Sequence, residues 1–426
     1  MEFSLKIQSI NGFKDILPDA MPVWNRIEEQ ARNVFERFGF REIRLPIMEK
    51  TELFVRSIGA ATDVVEKEMY TFVEQGITLR PEATASIMRA FIEHGMHVQQ
   101  PVQRLYTIGP MFRHERPQKG RLRQFHQLDA EIIGAPEPRV DAELIAMAQM
   151  FFDELGLDVR LEINSLGCPV CRPPFKAQLV AFLEQIGDGL CSDCRRRMHT
   201  NPLRALDCKN PGCRALVQNA PSLPDELCTD CDAHFHEVRS ALDELEIAFS
   251  VNSFMVRGLD YYARTTFEFL TNDLGAQAAV AAGGRYDGLI EQLGGPALPG
   301  IGLAIGMERV ALLLEQSAAH LALPASGPDV FVAVLGDELL APCGKLVHQL
   351  RKQGLQAAID HSGRSLKAQL KQAARSNARF VLIIGDNEWR AQEAILRNMA
   401  TQEQQPFPLT GTLDEQGRRL ADLLPT

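Results

Sequence analysis

Two long extended stretches, residues 102–112 and 124–133, flank a short and strongly charged segment, and this arrangement constrains the chain more than any other feature. Extended runs joined so closely pair antiparallel, because a parallel crossover needs a dozen or more residues and usually a helix. The surrounding signals are mixed. An amphipathic helix is predicted over 21–38, closed by Gly39, with an extended segment at 42–45 before Pro46. Short strands at 69–73 and 77–79 flank a turn at Gly76, and a helix begins after Pro81. Hairpins and helices in this irregular order predict an α+β fold, an antiparallel sheet with helices packed against it. A doubly wound sheet is excluded by the pattern, and no Gly-rich phosphate loop of the Rossmann or Walker kind is present.

The chain has 426 residues, more than one core usually organises. Residues 166–236 break the pattern, carrying eight of the nine cysteines with Pro-rich and Arg-rich runs, and read as an inserted module. Strand and helix signals resume at Val251 and continue to about Gln316, after which a Pro/Gly/Ser-containing linker at 322–328 opens a second domain. There, short apolar strands at 329–335, 357–359 and 380–384 alternate with helical segments, the signature of a small α/β unit with parallel strands. The expected organisation is one domain over 1–325, interrupted by the module at 166–236, and a second over 326–426.

Hydrophobic residues make up 45% and charged ones 23%, and no apolar run approaches the length that crosses a bilayer. The first ten residues lack a basic segment leading into an apolar stretch, so the protein is expected in the cytoplasm, away from membranes. A net charge of −10 argues against a general nucleic-acid coat, while leaving room for a local basic surface.

Chemistry concentrates in a few segments. The loop 112–123 gathers Arg113, Arg116, Lys119, Arg121 and Arg123 with Glu115 at a hairpin tip. Such a tip can clamp a polyphosphate, since arginine's planar fork donates two hydrogen bonds and stays charged; alone, it also reads as a solvated turn. In 79–84, Glu82 and Thr84 sit two apart at a strand-to-helix junction able to hold an ammonium group. Segments 257–262 and 281–287 combine glycine with polar aromatics, as pocket walls do. Segment 300–309 is a small-residue strand running into a helix with Arg309 on its first turn, which by itself also fits close helix-to-sheet packing.

Together these segments resemble the class II aminoacyl-tRNA synthetases, and the histidyl enzymes among them, over nearly the whole chain. Loop 112–123 is similar to the second class II signature, 300–309 to the third, and 257–262 with 281–287 to two segments peculiar to histidyl enzymes. The resemblance implies a six-stranded antiparallel sheet, a C-terminal α/β anticodon-binding domain and a homodimer. It also implies a ligase that converts L-histidine and ATP, with Mg2+ on the pyrophosphate oxygens, into histidyl-adenylate and then charges the tRNA for histidine. Carried over residue by residue, Arg113 meets the α-phosphate, Arg121 and Arg309 the outer phosphates, Phe125 stacks beneath adenine, and Glu115 lies in the same ATP site. Arg257 bridges the substrate carboxylate and the α-phosphate, which makes Arg113, Arg257 and Arg309 the catalytic set.

Neutral imidazole offers one donor and one acceptor, so a selective pocket needs both complements. Glu131 is expected to accept from one nitrogen and Tyr262 to donate to the other, beside Tyr261, while Glu82, Thr84 and Gln127 hold the α-ammonium. Alternation puts Gln127, Asp129 and Glu131 on one sheet face, although Glu131 also reads as an exposed strand carboxylate.

Two further features remain open. Cys168, Cys171, Cys191, Cys194, Cys208, Cys213, Cys228 and Cys231 form four close pairs that suit two four-sulfur structural zinc sites, or are reduced thiols in a small insertion poor in apolar residues. Their partition is not deducible from spacing. In the last domain, Arg364, Lys367, Lys371 and Arg375 recur at helical spacing with Arg379 beyond, predicting a basic helix face for RNA or a solvated one. Two rival readings of the whole chain are a catalytically inactive synthetase paralogue, which would lose parts of these motifs, and a zinc-dependent RNA-binding protein, which would leave them unexplained.

Overall fold

The structure is a computed structural model that describes residues 7–59, 62–208, 210–256, 259, 261–274, 279–317 and 327–423. The chain divides into two compact units, Met1–Leu321 and Ala322–Thr426.

In the first unit the strands are β1 (Arg41–Glu42), β2 (Met48–Lys50), β3 (Tyr70–Phe72), β4 (Ile77–Leu79), β5 (Gln103–Phe112), β6 (Gln124–Ile133), β7 (Arg160–Ser165), β8 (Phe249–Val251), β9 (Ala263–Leu270), β10 (Ala279–Arg285) and β11 (Gly300–Gly306). The predicted hairpin is β5–β6, paired in register from Gln103↔Ile133 to Phe112↔Gln124. Eight strands form the main sheet in the order β1-β5-β6-β11-β10-β9-β7-β8. Its six central strands are antiparallel throughout, and the short edge strands β1 and β8 are added parallel. Strands β2, β4 and β3 make a separate three-stranded sheet.

The pleat divides the main sheet into two chemically different faces. Leu128, Ala130 and Ile132 of β6 are fully buried on one face, where Tyr106 meets Phe35 of the helix Met21–Arg37 at 5.5 Å between ring centroids. Phe269 of β9 meets Phe152 of the helix Pro138–Glu154 at 5.3 Å on that same face. Each such aromatic side chain contributes about 1.5–3 kcal/mol by burial. The opposite face carries Glu268, Ala282, Ala304 and Asp129 in one cross-strand row, and Thr266, Gly284, Gly302 and Glu131 in the next. Alanine and glycine in the middle strands leave this face concave, and its polar groups come from the strands on either side.

The cysteine-rich module leaves the sheet after β7 and returns through the helix Thr229–Glu244, which packs along Pro138–Glu154 and so crosses the module's expected end at His236. The module is not poor in apolar residues, as its composition had suggested: Phe175, Leu179, Leu183, Leu206, Val217 and Leu223 are buried in a cluster continuous with that of the unit.

The second unit has strands β12 (Val330–Leu335), β13 (Ala357–Ile359), β14 (Phe380–Gly385), β15 (Glu393–Asn398) and β16 (Gln404–Pro408), ordered β13-β12-β14-β15-β16. The three strands read from sequence are parallel, as their alternation with helices requires, but β15 and β16 extend the sheet antiparallel and were not anticipated. Strand β16 is mostly exposed and holds Pro406 and Pro408, so it lacks the apolar run that marks a strand. The helix Leu366–Arg375 holds only Lys367, Lys371 and Arg375 of the predicted basic face, all exposed. Arg364 precedes the helix and pairs with Asp360 at 3.0 Å, and Arg379 follows it and pairs with Asp329 at 3.1 Å.

Candidate active site

The concave face opens into a cavity of about 340 Å³ lined by Glu82, Thr84, Arg113, Glu115, Arg121, Phe125, Gln127, Asp129, Tyr261, Tyr262, Glu268, Glu308 and Arg309, with small residues of β10 and β11 as floor. Most of the residues picked from sequence therefore meet in one place. Arg257, with Gly258 and Asp260, lies outside the described residues.

One end of the cavity is cationic. Arg113 follows β5 and donates from Nε to the Pro81 carbonyl at 2.9 Å, while its guanidinium lies over the Phe125 ring, 5.3 Å from the centroid. Arg121 pairs with Glu115, and Arg309 reaches the carbonyls of Gly120 at 3.3 Å and Ala279. Burial, then the charges of Arg121 and Arg113, lowers the Arg309 guanidinium from its usual range, and burial foremost does the same to Arg121. Three fixed cations gathered this closely raise one another's energy until an anion joins them.

The other end is anionic and buried. Glu82 caps the helix Thr84–Glu93 through Oε1, which accepts from the Ala85 N–H at 3.0 Å, and its Oε2 has no hydrogen-bond partner among the described residues. Gln127 Oε1 and Asp129 Oδ2 are likewise buried and unpartnered among the described residues. Burial pushes the carboxyls of Glu82 and Asp129 above their usual range, and for Asp129 the charges of Glu131 and Glu82 add to it. Three unsatisfied acceptors beside one another are costly, and a small cation with several N–H donors is the partner that removes the cost.

Glu131 does not line the cavity itself; it projects from the same face of β6 as Gln127 and Asp129 and is fully buried behind Thr84. Thr84 Oγ1 donates to its Oε1 at 2.6 Å and the Tyr286 hydroxyl donates to its Oε2. Burial pushes its carboxyl up to about 8, against the lowering effect of those two hydroxyls and with the charge of Glu82 adding to the rise. Opposite it, a Cβ on Gly302 would stand 1.5 Å from Oε2, so glycine is required by the close approach of the carboxylate to the strand.

Segment 281–287 divides its work between the two faces. Ala281 and Ala282 line the cavity, but Arg285 points the other way, fully buried, and pairs with Asp141 at 2.7 Å. Asp141 also bonds His234 Nε2 at 2.9 Å, and Arg285 donates to the carbonyls of Ala135 at 3.2 Å and Glu137 at 3.0 Å. Arg285 is thus a strut and not the pocket wall expected from its segment. Arg80, in the proposed ammonium segment, is another: buried, it donates to the carbonyls of Pro110 at 3.0 Å and Leu45 at 3.3 Å.

The family model described as histidyl-tRNA synthetase matches residues 12–168 and 196–310. The chain belongs to the histidyl-tRNA synthetase family. A second family model, described as an anticodon binding domain, matches residues 329–415. The chain is 58% identical to the histidine–tRNA ligase of Desulfotalea psychrophila over 94% of its length and 93% of that protein, and 53% identical to that of Geobacter sulfurreducens over 95% and 98%. The apo structure of Staphylococcus aureus histidyl-tRNA synthetase superposes with a TM-score of 0.80 at 37% identity, covering 96% of this chain and all of that one. The α+β sheet expected from the family resemblance is the one observed.

Three cavity residues had no assigned role in the sequence reading. Glu308 accepts from the His126 N–H at 2.9 Å and meets its Nδ1 at 3.0 Å, Glu268 faces Ala282 across strands, and Asp129 lies between Gln127 and Glu131. Alternation along β6 had already placed Asp129; Glu268 carried no such signal, because β9 has to be located in the sheet before its faces are known.

Proposed function

We propose that this member of the family activates L-histidine with ATP, releasing pyrophosphate, and transfers the histidyl group to the 3′ end of its tRNA. The observation that carries this reading is the polarity of one cavity, with Arg113, Arg121 and Arg309 at one end and the unpartnered oxygens of Glu82, Gln127 and Asp129 at the other. An amino acid and a nucleoside triphosphate are the pair of substrates that satisfies both ends. The α-ammonium binds Glu82, Thr84 and Gln127, with Asp129 behind them. The imidazole extends towards Tyr261, Tyr262 and Glu131, whose carboxylate accepts from one nitrogen once substrate draws it from Thr84 and Tyr286.

ATP lies along the cationic end. Arg113 holds the α-phosphate and, from above, one face of the Phe125 ring, leaving adenine to stack on aromatic surface; Arg121, set by Glu115, and Arg309 take the outer phosphates. When a histidine carboxylate oxygen bonds to the α-phosphorus, the bond to the bridging oxygen breaks and pyrophosphate leaves with the charge. Cations already fixed at those oxygens need no reorganisation, which lowers the barrier. Arg257 bridges the two reacting anions. Glu115 and Glu268 are the oxygen donors that would hold Mg2+, a hard cation that would supply further charge neutralisation at this end of the cavity.

The second unit is proposed to read the anticodon over residues 326–426, with Lys367, Lys371 and Arg375 meeting RNA phosphates. Structural zinc in the module, a homodimer and a cytoplasmic location complete the proposal, and no helix among the described residues is long and apolar enough to cross a membrane. Histidine-dependent ATP–pyrophosphate exchange tests the reading: wild-type protein is expected to exchange with histidine alone among the amino acids, and Arg113→Ala to lose about 10²–10³-fold. A wild-type protein that binds tRNA but gives no exchange would be the inactive paralogue instead.

A further inference from the structure

The eight module cysteines fall into two nested tetrads. Cys168, Cys171, Cys228 and Cys231 form the outer one and Cys191, Cys194, Cys208 and Cys213 the inner, with the four sulfurs of each within 4.8 Å of one another. The sulfur–sulfur edges include 3.7 Å for Cys168–Cys171, 3.8 Å for Cys168–Cys228 and 3.9 Å for Cys191–Cys208. A tetrahedron of Zn–S bonds of roughly 2.3 Å has edges of about 3.8 Å, whereas a disulfide holds its sulfurs at about 2 Å. A polynuclear iron–sulfur cluster would spread the sulfurs wider than this. Backbone N–H groups point at the sulfurs, from Val170 to Cys168 at 3.3 Å, Cys228 to Cys171 at 3.2 Å and Cys191 to Cys213 at 3.1 Å, as they do where thiolate charge must be held.

We infer that each tetrad is a structural site for one zinc-class divalent ion, and that the outer ion also positions the amino-acid end of the active cavity. The outer tetrad closes the neck of the module. One residue beyond Cys171, Arg172 donates to the Leu166 carbonyl at 3.0 Å and to the carbonyl of Tyr262. Leu166 N–H in turn donates to the Arg264 carbonyl at 2.7 Å, and Arg264 N–H to Gly167 at 2.9 Å, so the neck is zipped to the residues that follow Tyr262. From the other side, Cys228 and Cys231 open the helix on which His234 bonds Asp141, which holds Arg285 next to Tyr286 and hence Glu131. Among the described residues the inner tetrad borders the cationic end instead, where Cys191, Cys194 and Cys208 line a pocket with Arg113, Glu115 and Arg121; its cysteines begin the helix Ser192–Arg197 and lie on the helix Pro211–Val217 and the turn before it. Four thiolates and one divalent ion leave each site a net negative charge, which the backbone N–H groups on the sulfurs help to hold.

The positioning half of this inference rests on the proposed histidine site; the metal content does not. Full-length protein purified without a metal-affinity tag is expected to carry two zinc ions per chain, and Co2+ exchanged into it to show the sulfur-to-cobalt charge-transfer bands and visible bands of tetrahedral thiolate coordination. Less than one zinc per chain, with eight thiols titrating freely in native protein, overturns the sites without needing a variant. Cys231→Ser is expected to lose one ion and raise the KM for histidine tenfold or more with the KM for ATP little changed. Cys208→Ser is expected to lose the other ion and to move the histidine KM far less, and Cys343→Ser, in the core of the second unit, to lose none. Loss of both ions from either single-site variant that keeps its wild-type circular dichroism overturns their independence, and equal histidine KM effects at the two sites overturn the positioning role. Two ions per chain in a protein without histidine-dependent exchange would sink the proposed activity and the positioning role while upholding the sites.

Discussion

The first unit buries charge in two places, and treats it oppositely. Around Arg285 every partner is supplied: Asp141, Asp287 and two backbone carbonyls enclose the guanidinium, and His234 bonds Asp141 in turn. On the opposite face of the same sheet, Glu82, Gln127 and Asp129 each keep a buried oxygen without a partner among the described residues, and Arg113, Arg121 and Arg309 crowd together. Sheet alternation makes such neighbours possible, since Arg285 and Gly284 are adjacent in β10 and face opposite ways. The satisfied network specifies the fold. The unsatisfied one carries a deficit that, in the proposed function, substrate removes, and the difference separates a structural polar cluster from a functional one more sharply than residue type does.

The comparison breaks most readily at the strut. Arg285→Met leaves Asp141 buried without its cation and is expected to cost about 3–5 kcal/mol of stability, read as a fall in the midpoint of thermal or urea unfolding. A stable Arg285→Met protein with failing exchange would move Arg285 from structure to function. Glu131→Gln probes the other side. Because burial raises this carboxyl to about 8 in the folded protein, above its ordinary carboxylate range, the native state holds a proton that the unfolded chain has released. Apo-protein stability therefore falls as pH rises from about 4.5 to 8 on account of Glu131, and the glutamine variant is expected to flatten that slope and to be the more stable form near pH 8. Its KM for histidine should rise about ten- to a hundred-fold, the worth of a charge-assisted hydrogen bond, with the KM for ATP little affected. Steady-state exchange and pH-dependent denaturation measure both, and an unchanged slope would place the proton elsewhere among Glu82, Asp129 and the tyrosines. The smallest effect is expected in the second unit, where Lys371→Ala with Arg375→Ala removes two exposed charges. A few-fold rise in the KM for tRNA and a shallower salt dependence should appear without any change in pyrophosphate exchange, and a salt dependence equal to wild type would make the helix a solvated face.

Sequence alone determined the elements whose causes are local. The β5–β6 hairpin follows from two extended runs with a short polar connection, the helix Met21–Arg37 from its apolar spacing and Gly39, and the three parallel strands of the second unit from apolar runs separated by helical segments. The common face of Gln127, Asp129 and Glu131 follows from alternation, and the family from motifs that keep their spacing. What the tertiary structure decided depends on which distant segments meet. Only the sheet order sets Glu268 across from Ala282, buries Glu131 against Thr84 and Tyr286, and turns Arg285 away from the cavity that its neighbours line. The cysteines show the same limit most plainly: each close pair is local and readable, but joining 168 and 171 to 228 and 231 requires the module to fold back on its own neck. Spacing along a chain fixes distances only within a turn or a strand; beyond that, the free energy of packing chooses the partners, and it acts on the whole fold at once.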